Sequence, residues 1–586
     1  MKETFRLSML WAHTWAGLVL GSVLFAVFWM GSLSVFDKEI DTWMMPATRV
    51  EAPDVHSLDA LAALVGRLTP DAQAWGAVLP TNRAPVVNLY AIGAEGTLHH
   101  HRVDLISGTV LPDPETLAGT GFIYPFHYSL HLNWKSIGVW IVGLAAMAML
   151  LLLVSGVVIH ARIFKDFFTL RPEKKLARST LDLHNFSGVL VLPFHVLITL
   201  SGLVVYADVY FADAPGLTYP EEETPIEAYY EALFGAYTRE AVGEPGTVGS
   251  LDAMARAAEG MWGDAPVDYF WVHQASDASA YVEMRRGSEN EVRFGRSRLF
   301  FDGATGAVLH RWDPAPVASA NRFLAGLHYI QFEHWALRWL YFVAGLAGCV
   351  LIGTGFVYWF EKRRAKHAEM SPLGLRTVEV LTVGSVTGIL IATVAFFVVN
   401  RLLPLGTAFA GQERAALEVW AFYLVWLATF AHVALRRWRG ASMRAVWREQ
   451  TWALAGLAVV APVLNGVTTG MHPVGAAAEG QWAVLGMDAL LLATALLAVV
   501  VARRLGRVTP EAAPAAPKRP PAQPKPRPAP RPTTGPSTAP TQAPSGDGAT
   551  EAPGVLGGDG ATTGDETPAV APPPVAQPDS EDRTEP

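Results

Sequence analysis

The chain has 586 residues, of which 51% are hydrophobic and 17% charged, with 19 tryptophans and a net charge of −8. Its mean hydropathy of +0.25 is typical of a membrane protein and not of a soluble one. The single cysteine, Cys349, excludes intramolecular disulfides, cysteine-ligated iron–sulfur clusters and covalent haem attachment through a CxxCH motif. The sequence also has no GxGxxG motif after a strand and no GxxxxGKS/T motif, so dinucleotides and ATP have no recognisable site.

Apolar segments of bilayer length recur along the chain, since about 20 apolar residues are enough to span a bilayer as a helix. The first is too long for the core of a cleaved signal peptide, so we expect it to be retained. Four more spans are predicted in the second half of the chain. The predicted spans are 7–36, 126–160, 181–206 and 326–366, followed by four within 375–503. These patterns predict an all-α membrane bundle of about eight transmembrane helices.

Basic residues are concentrated in loops that fall on one side of this bundle. The loop 161–180 has six of them, and EKRRAK at 361–366 follows the fourth span. The positive-inside rule makes these loops and both termini cytoplasmic, and it puts the polar regions 37–125 and 207–325 on the outer side. The final segment, 508–586, is rich in Pro, Ala, Thr and Gly and predicts a disordered cytoplasmic tail.

The first four spans and their polar regions form an internal repeat. WAHTWAGLVLG at 11–21 resembles DLHNFSGVLVL at 182–192, and the same offset aligns Gly31 with Gly202. Both polar regions contain SLDA, at Ser57 and Ser250, followed by strand patterns. We expect each polar region to form a small α+β unit with one helix and a short antiparallel sheet.

Matched histidines recur at both ends of the four repeated spans. A repeat of this kind tends to fold around a pseudo-twofold axis, so that His13 faces His184 near the cytoplasmic side and His127 faces His328 near the outer side. We favour haem ligation by these pairs over hydrogen-bonded packing within a bundle. If the span 181–206 is one continuous helix, His184 and His195 lie on one face, roughly 16 Å apart.

Other histidines remain open as ligands or neighbours. His160 is expected at the depth of His13 and is an alternative partner for His184. His127 and His131 are four residues apart and are expected on one helical face, so either is a candidate ligand. His195 is expected near the midplane, as a neighbour of a ligand or as a ligand whose partner we do not identify. The remaining histidines favour structural or solvated roles: His99, His100, His101, His432 and His472.

Several motifs resemble the PepSY-associated transmembrane (PepSY_TM) family. They are LDLHN, LPFHVLITLSGL, SGVVIH followed by FTLRP, and LHY before the fourth span, and the resemblance covers residues 1 to about 366. It implies that both polar units are PepSY-like periplasmic domains and that the protein lies in a bacterial inner membrane. The family includes iron-regulated proteins and ferric-siderophore reductases that carry b-type haem on histidines. The resemblance therefore implies haem b. The two matched histidine pairs predict two haem groups, with His13, His184, His131 and His328 as the expected iron ligands. His127 remains the alternative to His131, and His160 remains a candidate for binding a propionate.

These observations together predict an electron-transfer protein that reduces a ferric siderophore or another ferric chelate on the periplasmic side. Bis-histidine iron has no open coordination position, which favours electron transfer over oxygen activation. The expected donor is a cytoplasmic flavoprotein or the quinol pool, membrane lipid surrounds the spans, and no nucleic acid partner is expected. The alternatives are a PepSY-type sensor or assembly module without redox chemistry, and an accessory to a transporter formed by the last four spans.

Overall fold

The computed structural model describes residues 3–53, 57–160, 176–211, 213–222, 224–287, 291–293, 297–363 and 372–507. The predicted tail, 508–586, and most of the basic loop, 161–175, lie outside the described residues. Within the described ranges, seven helices are long and apolar enough to cross a membrane, or eight if one bent pair counts as a span. The chain is therefore a multi-pass membrane protein, as its composition predicted.

The first half of the structure alternates membrane helices with two strand regions. Its elements up to the second span are α1 (Glu3–Ser34), α2 (Asp37–Met44), α3 (Leu58–Leu68), β1 (Ala74–Val78), β2 (Val87–Ile92), β3 (Leu98–Asp104), β4 (Thr109–Leu111), α4 (Tyr124–Ser129) and α5 (Ile137–Ile159). A π-helical turn at Ala118–Ile123 leads into α4. The next elements are α6 (Leu176–Leu190), α7 (Leu192–Val205), α8 (Ala207–Tyr210), α9 (Ala214–Thr218), α10 (Pro225–Phe234) and α11 (Leu251–Met261).

The second strand region and the later helices complete the structure. They are β5 (Val267–His273), β6 (Tyr281–Arg286), β7 (Arg298–Asp302), β8 (Val308–Trp312), α12 (Pro316–Tyr329), α13 (Trp335–Arg363), α14 (Pro372–Val383), α15 (Ile389–Leu402), α16 (Arg414–Trp438), α17 (Met443–Thr469), α18 (Pro473–Ala478) and α19 (Trp482–Arg507). A two-stranded hairpin, β9 (Ala408–Phe409) and β10 (Gln412–Glu413), lies between α15 and α16.

The third predicted span is broken in the middle. Helices α6 and α7 meet at 64°, with the break at Val191. Pro193 lies in the first turn of α7, where its missing N–H needs no partner, whereas a proline inside a continuous helix clashes with the preceding turn. The prediction of one continuous helix with His184 and His195 on a single face was therefore wrong.

The two strand regions share one sheet. Its eight antiparallel strands have the order β4-β3-β2-β1-β5-β6-β7-β8, and Gly76 of β1 pairs with Trp271 of β5 at the centre. Helices α3 and α11 cover one face through a core that includes Leu58, Leu251 and Phe270. The β1–β5 pairing removes two exposed sheet edges, which explains why the predicted α+β units do not form two separate sheets.

The two SLDA motifs form reciprocal hydrogen bonds on one face of this sheet. Ser57 caps α3, and its hydroxyl donates to Asp252 at 2.7 Å. Ser250 caps α11, and its hydroxyl donates to Asp59 at 2.7 Å. Each aspartate also accepts from the first backbone N–H of the opposite helix at 2.6 Å. Each helix start is therefore stabilised by a side chain from the other strand region.

A buried charge cluster joins the sheet to the membrane helices. Arg83, in the β1–β2 connection, binds Glu39 at 2.9 Å and Asp37 at 3.2 Å. Arg338 of α13 is fully buried and binds Glu39 at 3.1 Å and the Val35 carbonyl. One carboxylate thus holds a guanidinium from the sheet and another from the bundle.

The last four spans pack into the same core as the first helices. Phe25 and Met30 of α1 share a buried cluster with Ile389 of α15 and Phe422 of α16. Trp43 of α2 donates to Asp488 of α19 at 2.8 Å. The C-terminal helices are therefore part of one bundle and not a separate unit.

Candidate functional site

Two pairs of histidines face each other at different levels of the bundle. His13 of α1 and His184 of α6 have ring centroids 6.3 Å apart with planes at 89°. His127 of α4 and His328 of α12 have centroids 5.9 Å apart with planes at 27°. We call the first the sheet-distal pair and the second the sheet-proximal pair, since α12 directly follows the sheet. The repeat alone predicted both of these partnerships.

The spacing within each pair suits one metal ion between two rings. Two metal–imidazole bonds of about 2 Å, together with the half-widths of the rings, put the centroids of a trans pair about 6 Å apart. Both observed distances agree with this value. The centroid distances therefore allow one metal ion between the two rings of each pair.

The hydrogen bonds of all four rings involve Nδ1. His127 and His184 contact the carbonyl oxygens of Val27 and Leu351, each at 2.8 Å. His13 contacts the Leu152 carbonyl at 3.1 Å and Ser155 Oγ at 3.0 Å, and His328 contacts Ser201 Oγ at 3.1 Å. A carbonyl acceptor fixes the proton on Nδ1 and leaves the lone pair on Nε2, which is the usual arrangement of a metal-binding histidine.

Each of the four rings also lies against a glycine. A Cβ at Gly31 would be 2.5 Å from Cε1 of His127, and a Cβ at Gly202 would be 2.7 Å from Cε1 of His328. The sheet-distal rings have more room: the corresponding distances are 3.2 Å from Gly355 to His184 and 3.5 Å from Gly156 to His13. The sequence repeat aligned Gly31 with Gly202, but it did not indicate that either glycine contacts a histidine.

These glycine contacts give a first prediction. In Gly31→Ala, the new methyl group displaces the His127 ring, because that ring lies directly against Gly31 while its Nδ1 is bound to the Val27 carbonyl one turn earlier on α1. We expect the His127 ring to move away from His328. If the pairs hold haem, as proposed below, one haem component should shift from low-spin to high-spin absorption. Gly156→Ala is the matched control, since its methyl group makes an ordinary van der Waals contact with His13. An unchanged spectrum in Gly31→Ala would contradict the geometry of the pair.

A cavity surrounds the sheet-proximal pair. Its volume is about 130 Å³, and its lining includes Leu24, Phe28, Met149 and Phe194. Tyr128 and Tyr206 add phenol groups to the lining. A largely apolar cavity with a few polar groups is typical of a cofactor site. His127 and His328 also line this cavity, so two candidate metal ligands lie beside its apolar walls.

The structure separates His131 from His127. Helix α4 ends at Ser129, and the following Leu130 and His131 have left-handed backbone conformations with φ of 51° and 50°. The His131 ring lies 5.3 Å from that of Phe122 and not opposite His328. The prediction that His127 and His131 share a helical face was wrong because the helix stops between them.

His160 and His195 occupy different surroundings. His160 ends α5 and lies close enough to His13 and His184 for their charges to interact. His195 is fully buried beside Phe28, with a centroid distance of 5.2 Å, and its Nε2 lies 3.3 Å from the Ala344 carbonyl. Its Nδ1 has no hydrogen-bond partner among the described residues. No second histidine faces it there.

Three other described histidines, all outside the two pairs, make local contacts. His100 stacks on Tyr90 at 4.6 Å and contacts Asn88, and burial lowers the pKa of His100 to about 4. His432 binds Glu449 at 3.0 Å, and His472 caps α18. Within the described parts of the chain, no group of three or more His, Cys, Asp or Glu side chains is arranged to hold a metal.

Comparison with known proteins gives matches over the first half of the chain. The sequence model of the PepSY-associated TM region matches residues 10–362. The chain belongs to this family. It is also similar to Uncharacterized protein PA4219 of Pseudomonas aeruginosa, with 28% identity over 316 residues, which cover 50% of this chain and 76% of that protein.

The PepSY-associated TM match contains both histidine pairs and the whole sheet. It ends at residue 362, near the end of α13. Helices α14 to α19 lie beyond it, although they share the buried core of α1 and α2.

Proposed function

We propose that this PepSY-associated TM protein is a b-type haem electron carrier of the bacterial inner membrane. It reduces a ferric siderophore or a similar ferric chelate on the periplasmic side. The observation that carries the proposal is the arrangement of four histidines in two facing pairs, in which every Nδ1 is hydrogen-bonded and no Nε2 has a hydrogen bond to any described residue.

The two histidine pairs lie at different depths of the bundle. His13 and Gly31, which contacts His127, are both on α1 and are separated by about 27 Å of helix rise. The two pairs therefore lie near opposite ends of one span. Haem iron bound at these pairs would supply one-electron chemistry, with His13 and His184 as its ligands at one level and His127 and His328 at the other. The rings of Phe28 and His195 lie between the two levels and help to exclude water from this part of the bundle.

The orientation follows from the basic loops, which favour a cytoplasmic sheet-distal pair and a periplasmic sheet. Electrons then enter beside His13 and His184 from a cytoplasmic flavoprotein or membrane quinol. They leave beside His127 and His328, where the sheet borders the acceptor. Ferric iron held by oxygen ligands binds less tightly once reduced, so reduction favours release of the metal.

This orientation can be tested by cysteine labelling. Glu95, in the exposed β2–β3 turn, and Arg439, between α16 and α17, are exposed, whereas the native Cys349 is buried. We expect Glu95→Cys to react with a membrane-impermeant thiol reagent in spheroplasts and Arg439→Cys to react only after lysis. The unsubstituted protein is the control for background labelling. The reverse pattern would invert the proposed topology.

The haem content of purified protein tests the function. Protein isolated in detergent from haem-replete cells should carry two non-covalent b haems per chain. Its reduced spectrum should be low-spin, as expected for bis-histidine iron. Reduced protein mixed with a ferric chelate should be reoxidised, with ferrous iron formed in proportion to the electrons lost. Colourless protein would refute the redox proposal.

A further inference from the structure

One face of α16, outside the family match, contacts the segment that carries His127. Four residues of this face are spaced four positions apart, and a fifth is adjacent to one of them, so all five lie along one side of the helix. We call them the support face: Arg414, Glu418, Phe422, Tyr423 and Trp426.

The support face holds both ends of the segment 114–130. At its start, Arg414 donates to the carbonyl oxygens of Pro114 and Glu115 at 2.8 and 3.1 Å. Thr116 donates to Glu418 at 2.5 Å. At the other end, the Tyr423 hydroxyl donates to the Leu130 carbonyl at 2.6 Å, three residues after His127.

Aromatic packing fixes α4 between these two ends. Phe126, which precedes His127, is fully buried. Its ring lies 5.5 Å from that of Phe422 and 5.9 Å from that of Trp426. The backbone next to His127 is therefore packed against side chains of α16, while Asp41 of α2 binds the same segment further upstream, at Gly119 and Thr120.

The polar part of the support face is itself buried and paired. Arg414 and Glu418 form an ion pair at 3.2 Å. Asn400 of α15 donates to Glu418 at 2.9 Å, and its carbonyl accepts from Arg414 at 2.6 Å. A buried network of this kind rigidifies its surroundings, because breaking one contact leaves a charge without compensation.

The partner histidine is supported differently. His328 lies on α12, which packs against α7 through Ser201. Two apolar side chains of α12, Val317 and Phe323, are 82% and 49% exposed. His127 is therefore supported both by α1, through Val27 and Gly31, and by α16, whereas the hydrogen bond of His328 comes from α7 in the first half of the chain.

We propose that the support face of α16 positions His127 and so sets the ligand geometry and reduction potential at the sheet-proximal pair. Glu418 and Tyr423 are positioning residues that act through the backbone of 114–130. The sheet-distal pair depends instead on carbonyl and hydroxyl groups of α5 and α13. The spectroscopic part of this inference rests on the proposed function.

The test compares Tyr423→Phe and Glu418→Gln with Trp420→Phe, all in the full-length chain. Trp420 lies on the opposite face of α16 and is 58% exposed. In the oxidised protein, electron paramagnetic resonance and redox titration should show a shift in one of the two haem components and none in the other. Hydrogen exchange of the amides in 114–130 should become about three- to tenfold faster in Tyr423→Phe, as expected for the loss of one buried hydrogen bond. Trp420→Phe should change neither measurement.

The two measurements separate failure of this inference from failure of the haem proposal. Unchanged exchange and unchanged haem signals in both variants would overturn the positioning role, as would equal shifts in both haem components. If the unsubstituted protein is colourless, faster exchange confined to 114–130 would still support the mechanical role of α16. In that case unchanged exchange would overturn it. Tyr423→Phe retains the aromatic ring and leaves no buried charge, so the test does not depend on the folding of Glu418→Gln.

Discussion

His184→Ala should reduce the haem content from two to one per chain. The substitution removes one of the two imidazoles of the sheet-distal pair and leaves His13 alone, with Nδ1 bound to the Leu152 carbonyl. An iron with one protein ligand binds less tightly and becomes high-spin. His328→Ala should produce the same loss at the sheet-proximal pair. Haem per protein and the low-spin signal are the measurements, and ferric-chelate reduction driven from the cytoplasmic side should fail in both variants.

The controls for this prediction are two histidines outside the pairs. His131→Ala and His195→Ala should retain two haems, because neither ring faces a second histidine in the structure. Full haem content and turnover in His184→Ala would refute the assignment of this pair. His160, which ends α5 close to both sheet-distal rings, would then be the next ligand to substitute.

Glu39→Ala should cause the largest loss of stability. Glu39 lies between two buried arginines, Arg83 at 2.9 Å and Arg338 at 3.1 Å. Burial alone would raise the pKa of Glu39, but the two guanidinium groups hold that pKa below its usual value. Removing one partner of a buried ion pair typically costs about 3–5 kcal/mol in the free energy of unfolding. Thermal unfolding in detergent should show this loss as a lower unfolding temperature. Glu95→Ala, in an exposed turn, should change the unfolding temperature little.

The same cluster gives a pH dependence with a defined sign. Because the pKa of Glu39 is lower in the folded protein, its contribution is present above the pKa of an unfolded glutamate. It is lost as the pH falls through the folded value. Unfolding temperature should therefore fall more steeply on acidification in the unsubstituted protein than in Glu39→Ala. Equal slopes and equal midpoints in the two proteins would show that the cluster does not hold the sheet on the bundle.

The sequence predicted the membrane helices and the histidine partnerships because both depend on local patterns. Apolar length identifies a span, and the repeat aligned His13 with His184 and His127 with His328 without any knowledge of packing. The bend at Val191 was missed although Pro193 was visible, because a proline permits either a kinked helix or a break. The end of α4 had no comparable signal, since Leu130 and His131 are not residues that favour a left-handed backbone.

The other features that the sequence did not predict depend on contacts between residues far apart in the chain. The pairing of β1 with β5 joins residues almost 200 positions apart, which alternating strand patterns do not encode. The support face was also missed, because α16 shows no internal repeat and few candidate ligands. Its spacing of four between Arg414, Glu418, Phe422 and Trp426 was the available signal.

The reciprocal contacts of the SLDA motifs have a consequence for biosynthesis. The cap of α3 is completed by Asp252, which is 195 residues later than Ser57. At about 5–20 residues per second, the ribosome needs roughly 10–40 s to make that stretch. Throughout this interval β1 lacks its neighbour β5, and its open edge is available to any other extended chain. The nascent half-sheet therefore exposes an edge that a chaperone would have to cover until the second strand region arrives.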